Sequence, residues 1–527
     1  MKRMTFAKRA VCAALSGLLL MASGCQPQAA EPSDTQHNEP VANLRAVILG
    51  TPPTEGMDEL YRQLDALTIP ELNCTLRFEF IPWGDERAQL NIAVASGEYD
   101  LIPNGVFSDY RTLIAKNAFL DLNDYLGLVP ALAEHYTGAS GTLADCEISG
   151  GLYGIPQYSP GVLHTDEGFF FREDLRKAWG LAPITDLETM EAYLYRAKEE
   201  DAYKDSPLIT DNRIWTCLWL LVSGGKYLEV GSALETPFIV ALAGEPGTLV
   251  MRMETPEFQE VVTYIRKWQE DGIIAPNMLS SSDNEGTRAR QMMLADLKPC
   301  ETNVPFWALQ GGFLRDLWAA HPEWEYGFFP YCQDHQHWYT ESISDASVIS
   351  VSSRTKHPET AVRLLEKIHT DPRYYDLLRY GVEGIHYKLT DGLLDYTGIP
   401  SSNSFGWTQI TDDVIGRNAI HVSEKWYEEL ERPYNDWLDE IAEQALPDPL
   451  NGFSTDLSGL EMEVEEIERV RLHYFQPILC GYHDDPVQAL GEANDVLNRA
   501  EFNKYFEIIQ RQVTDYFTDR SQAHGGA

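Results

Sequence analysis

Apolar and polar positions along this chain fall into two rhythms. "NLRAVILG", Asn43 to Gly50, is a short apolar run that predicts a strand, and Pro52 to Gly56 predicts a loop. Leu60, Leu64 and Leu67 then recur at helical spacing, so a helix is expected over 57–67. "CTLRFEFI", Cys74 to Ile81, alternates and predicts a second strand. A helix over about Glu86 to Ala95, a stop at Gly97 and a third strand at Tyr99 to Ile102 follow. Strand, helix, strand, helix, strand is the pattern of a parallel α/β layer. Further on, Thr185 and Glu188 predict a capping box for a helix carrying Leu187, Met190, Leu194 and Ala197. Pro256 opens a helix with Phe258, Val261, Val262, Ile265 and Trp268 on one face, stopped by Gly272. Pro358 opens another, with Ala361, Leu364, Leu365 and Ile368 inward, and Asp371-Pro372 caps the next, which ends near Gly381. The last helix carries Phe502, Phe506, Ile509, Val513 and Tyr516. All of these stripes are expected to be core, and there is no internal repeat.

The chain begins differently. Lys2, Arg3, Lys8 and Arg9 precede an apolar run from about Ala10 to Met21, the layout of a secretory signal. That run is shorter than the roughly 18 residues a membrane-spanning helix needs, and no other stretch approaches that length. "ASGC", Ala22 to Cys25, resembles the bacterial lipobox, with Ala22 where that motif usually carries leucine. The resemblance implies cleavage before Cys25 and lipidation of its thiol, palmitate included. Residues 1–24 are then signal peptide, and 25–42 the lipidated cysteine and a polar tether of the kind that does not fold.

A formal net charge of -40 argues against nucleic acid or an anionic bilayer as partner, since both need a basic patch. Six cysteines remain beyond Cys12 and Cys25, widely spaced and without a CxxC pair, which argues against zinc and leaves disulfide pairing open. "QDHQHWY" and "YHDDP" hold His335, His337, His483, Asp484 and Asp485, and solvated polar loops are expected there rather than metal ligands.

Several segments carry a family likeness. "IPWGDERAQLNIAVASGEYDLI", "GGLYGIPQYSP" (Gly150 to Pro160), "FFFREDLRKAWGLAPITDLETMEAYL" and "HPETAVRLLEKIHTDPRYYDLLRYGVEGIHYKL" together resemble the extracellular solute-binding proteins of ABC importers. The last resembles the LipO-like branch of larger lipoproteins. The likeness runs from about Asn43 to Phe517, and Ile184 stands where the family usually has lysine. It implies an α/β, two-lobed periplasmic-binding-protein fold, type II-like, with a ligand cleft between hinged lobes. On this reading 43–155 form the first segment of lobe 1, 156–340 the main segment of lobe 2, and 341–527 return to both lobes with C-terminal helices. It further implies a monomer on the outer face of the cell membrane, held by lipid alone, with permease subunits as partners. No P-loop is present in this chain to hydrolyse ATP.

The expected ligand is a sugar or oligosaccharide. Aromatic residues crowd Asn303 to Thr340, and sugars offer C–H faces to rings. Residues beside turns are the best placed for contact: Trp83, Asn104, Asp109, Tyr158, Trp307, Trp338, Tyr339, Glu341 and Trp407. Trp318 and Trp324 lean towards core. No cofactor and no catalytic residue is expected. A glycoside hydrolase would need an acid pair about 5 to 10 Å apart, and 81 acidic residues make candidate pairs uninformative. Binding of a peptide or another polar solute, such as a cation drawn by the acidic surface, stays open in the same fold, since Asp109 and Arg354 could hold a peptide's two termini. So does a structural calcium.

Overall fold

The computed structural model describes residues 40–82, 86–105, 107–136, 143–148, 150–157, 161–230, 238–280, 287–306, 309, 314–335, 337–340, 347–390, 393–396, 398–403, 420–421, 427–450, 453, 455–457 and 459–524. Cys25, Trp83, Tyr158, Trp307, Glu341 and Trp407 lie outside them. Val41 onwards forms one compact unit. Among the described residues no helix is long and apolar enough to cross a membrane.

Strands β1 (Ala42–Leu49), β2 (Cys74–Ile81), β3 (Leu101–Gly105) and β4 (Ile155–Pro156) build the first sheet. The chain then makes a second set: β5 (Glu167–Arg172), β6 (Tyr227–Glu229), β7 (Ile239–Leu242), β8 (Glu245–Met251), β9 (Cys300–Pro305) and β10 (Tyr326–Pro330). A two-residue strand β11 (Tyr339–Thr340) precedes β12 (Ser347–Val351), which returns to the first sheet. The order there is β2-β1-β3-β12-β4. β1 runs parallel to β2 and β3, as the alternation of strands and helices requires, while β12 runs antiparallel to β3 and β4. The layer is therefore mixed, because β12 enters it from the opposite direction.

Two sets of buried residues separate along the same line. Leu44, Ala46, Leu64, Leu76, Ile155, Ile349, Leu365 and Tyr374 pack around the first sheet. Phe169, Tyr193, Trp219, Val262, Trp268, Phe475 and Phe502 pack around the second set of strands. The helix Pro256–Glu270 buries Phe258, Val261, Val262, Ile265 and Trp268, and Thr255 caps it by accepting from the Phe258 N–H. The helix Pro358–Thr370 likewise buries its expected stripe. The capping box of the helix Leu187–Lys198 sits one residue later than the spacing predicts. Asp186 accepts from the Thr189 N–H at 2.8 Å and Thr189 reaches back to the Asp186 N–H. Asp186 wins because a carboxylate is the stronger acceptor for the first-turn amides.

The aromatic density between 303 and 340 serves packing more than the sequence suggests. Phe306, Trp324, Tyr326, Phe329 and Tyr331 are all buried. Arg172 lies 3.5 Å from the Trp324 ring centroid, and His321 stacks on the same indole. Arg252 is held between Trp215 and Trp219 and pairs with Glu229. All six described cysteines are buried, and Cys74, Cys217, Cys300, Cys332 and Cys480 form no disulfide among the described residues. Burial pushes the Cys74 and Cys300 thiols up to about 12, so these sulfurs are packing groups.

His386 ties the segment after the helix Pro372–Arg379 to the loop that follows β1. Its Nδ1 accepts from the Val382 N–H at 2.8 Å, so Nε2 carries the proton and donates to the Glu55 carbonyl at 2.8 Å. Burial lowers its pKa, with the Glu55 carbonyl opposing. The folded protein thus resists a proton that the unfolded chain accepts near pH 6.5. The stability that neutral His386 contributes is complete above that pH and is lost as pH falls through the depressed folded value. Urea unfolding between pH 8 and pH 5 should show this acid loss, and His386→Gln should flatten it. An unchanged slope in the variant would mean that other groups carry the acid sensitivity.

Candidate functional site

The parallel strands β1, β2 and β3 all finish on one edge of the first sheet, where the Gly50 N–H bonds the Ile81 carbonyl at 2.7 Å. The chain leaves and re-enters the sheet at that edge. Ser347, the first residue of β12, pairs with Gly105, the last of β3. The Gln157 N–H donates to the Ser347 carbonyl at 3.0 Å. On the far side of the crossing, β5 begins at Glu167, which pairs with Pro305 at the end of β9, and Gly168 pairs with Pro330 at the end of β10. The crossing itself is narrow. The Leu163 N–H donates to the Tyr339 carbonyl, Val162 bridges Thr340, and β11 pairs in parallel with Leu446–Pro447. Strand ends from two sheets thus converge on a hinge of short segments, the position at which open α/β sheets bind ligands.

Four of the residues singled out from sequence are described here. Asn104 is at the expected strand end but fully buried, and its amide is used locally. Nδ2 donates to the Ile102 carbonyl, and Oδ1 accepts from the Ser108 hydroxyl. It therefore shapes the turn after β3. Asp109 is half-buried and holds two donors from the helix Glu86–Ser96, Arg87 Nη1 and Asn91 Nδ2, each at 2.6 Å. Burial would raise its carboxyl, but these bonds and the Arg87 charge hold it below the usual range. Trp338 lies in the crossing, half-buried, with its indole N–H on the Cys332 carbonyl at 3.1 Å. Tyr339 is next to it and packs partly against the second core.

A polar trio that the sequence does not announce lies near the second sheet's crossing edge. Asp211, nearly buried, accepts from Asn303 Nδ2 at 2.7 Å and from Arg213 Nη2 at 2.9 Å. Asn303 is two residues from the end of β9, and Arg213 precedes the helix Ile214–Ser223. Burial opposes the Arg213 charge, but the Asp211 carboxylate beside it raises its pKa all the same. The helix then crosses the strand ends: Cys217 reaches the Thr302 carbonyl, and the Leu220 carbonyl meets His335 Nε2 at 2.9 Å. Burial lowers the His335 pKa. His335 is thus engaged with the backbone, and Asp484 with Arg266. Among the described residues no group of three or more His, Cys, Asp or Glu side chains is placed to hold a metal ion.

No protein-family model matches the chain. Its fold is nonetheless that of the two-lobed solute-binding proteins. The N-glycan transport solute binding protein NgtS of Streptococcus pneumoniae superposes with a TM-score of 0.67 at 18% identity, over 91% of this chain and 100% of that one. The same protein in complex with Man5GlcNAc gives 0.65 at 18% identity, over 91% and 99%. In sequence, a carbohydrate ABC transporter substrate-binding protein of Streptococcus pneumoniae serotype 4 is 22% identical over 542 residues, spanning 98% of this chain and 99% of the relative.

Proposed function

We propose that this chain is the substrate-binding protein of a carbohydrate ABC importer, which captures a sugar or oligosaccharide between its lobes and hands it to permease subunits. The observation that carries this reading is the end-to-end likeness to a carbohydrate substrate-binding protein, with the fold of a receptor solved with glycans. The local chemistry agrees. A carboxylate, a guanidinium and an amide, Asp211, Arg213 and Asn303, gather where the strands end. Such forked groups suit hydroxyls, and Asp211 offsets the Arg213 charge, as a neutral ligand requires. The relative is a binding protein, and this chain is read likewise as carrying its solute unchanged.

The decisive experiment is a thermal-shift screen of the purified protein with Man1GlcNAc, Man5GlcNAc, other oligosaccharides and short peptides. A ligand at a hundred times its Kd stabilises by about 2.7 kcal/mol, a readable shift. Stabilisation by peptides alone would replace the sugar reading with a peptide one. We further propose that the mature chain is tethered through lipid on Cys25, for which the basic start, the apolar run and the lipobox-like "ASGC" are the support. Cys25→Ala should free the protein into the medium or leave its signal uncut. A variant as firmly membrane-bound as the wild type would remove the anchor from this account.

A further inference from the structure

The crossover segment Gly150 to Gln157 is packed so closely that it has little freedom. A Cβ on Gly151 would fall 2.6 Å from the Tyr153 ring, and one on Gly154 would fall 2.6 Å from Val348 and 3.0 Å from the Tyr110 hydroxyl. The Tyr136 hydroxyl donates to the Pro156 carbonyl at 2.8 Å, and Ile155 and Pro156 pair with β12. Gln157 is the next residue. Its backbone N–H is fixed on Ser347, in the last rung of the sheet before the chain crosses. Gln157 is 5% exposed, yet neither its Oε1 nor its Nε2, both buried, meets a hydrogen-bond partner among the described residues.

Buried amides in native proteins are almost always bonded, because leaving one unmade costs most of its desolvation. A primary amide offers two donors and an acceptor with two lone pairs. Here none of that capacity is taken up among the described residues, on a backbone clamped from both sides, at the edge where the lobes meet. We infer that Gln157 is a ligand-reading residue: its preorganised amide is completed by a donor–acceptor pair on the bound solute, such as two neighbouring sugar hydroxyls. Such a group gives specificity, since a solute lacking the matching pair leaves a buried amide unpaired. This inference rests on the sugar-receptor reading for the identity of the solute, and on the geometry alone for the role of the residue.

The test separates the two. Gln157→Leu keeps the volume and removes the amide, and Gln157→Met serves if the branched side chain does not fit. Each is titrated calorimetrically with Man1GlcNAc and Man5GlcNAc, and each unliganded protein is melted. The expected result is affinity lowered about 10- to 100-fold, as for one or two hydrogen bonds lost at a desolvated site. The unliganded melting temperature should stay equal or rise, because an unsatisfied buried group has gone. Wild-type affinity in both variants would overturn the inference. So would a loss of affinity accompanied by a lower melting temperature, which marks a structural amide. If the wild type binds neither sugar, the choice of solute falls, and melting alone decides the residue's role. A variant that melts below wild type then shows an amide already in use and overturns the inference, whereas one that melts at or above wild type supports it.

Discussion

Lys298→Met should destabilise the unliganded protein by about 3–5 kcal/mol, the usual cost of stranding one member of a buried ion pair. Lys298 and Glu301 are 1% and 2% exposed, and Nζ meets Oε2 at 2.8 Å. The other carboxylate oxygen accepts from the Thr302 N–H at 2.8 Å. Without the ammonium, a buried carboxylate at the start of β9 would lose its directly bonded counter-charge. The carbonyl of Pro299, between the two, accepts from the Arg172 N–H and the Tyr193 hydroxyl, so the disturbance would reach β5. Adding Glu301→Gln should restore most of the loss, because the amide keeps an acceptor for Thr302 and no longer needs a counter-charge. Urea unfolding followed by tryptophan fluorescence measures both. If the single variant costs under about 1 kcal/mol, or the double variant is no better than the single, the pair is not the anchor of this strand.

The first sheet was readable because its strands and helices are local and periodic. β1 lies at Ala42–Leu49 and β2 at Cys74–Ile81, where the apolar run and the alternation predict them. The third strand shifts to Leu101–Gly105, since pairing with β12, far away in sequence, sets its end. The helix Ile214–Ser223 gave no amphipathic signal. "IWTCLWLLVS" is apolar nearly all round because it is covered on most sides, and such a helix has no stripe to read. The site was less legible still. Asn303 and Asp211 are 92 residues apart and meet only when β9 and the loop before that helix are both in place. Gln157 reads in sequence as one more residue of a crossover motif, and only the fold reveals a buried amide that no described residue bonds. Asn104 shows the converse, because position in sequence marks the strand end but not that Ser108 and Ile102 occupy its side chain.

Two tryptophans fourteen residues apart should separate binding from packing. Trp324 is 6% exposed, in a core with Leu314, Leu317 and Tyr326 and with Arg172 stacked on it. Trp324→Ala should cost about 3–5 kcal/mol of stability through the cavity it leaves. The fraction that remains folded should bind normally. Trp338 is half-buried in the crossing, with its N–H already placed on the Cys332 carbonyl. A sugar face laid on a ring of this kind is lost together with its buried area on truncation. About 2–4 kcal/mol of binding is expected from a central platform, a roughly thirty- to thousandfold weaker Kd. Trp338→Ala should therefore bind the cognate sugar far more weakly while the unliganded protein melts near the wild-type temperature. Trp83, Trp307 and Trp407, proposed as companion platforms from their places in the sequence, are to be tested in the same way. The measurement pairs calorimetric titration with melting of each unliganded variant. If Trp338→Ala binds like wild type, or loses affinity only in step with its stability, then the crossing tryptophan is a packing residue and recognition belongs to the polar groups at the strand ends.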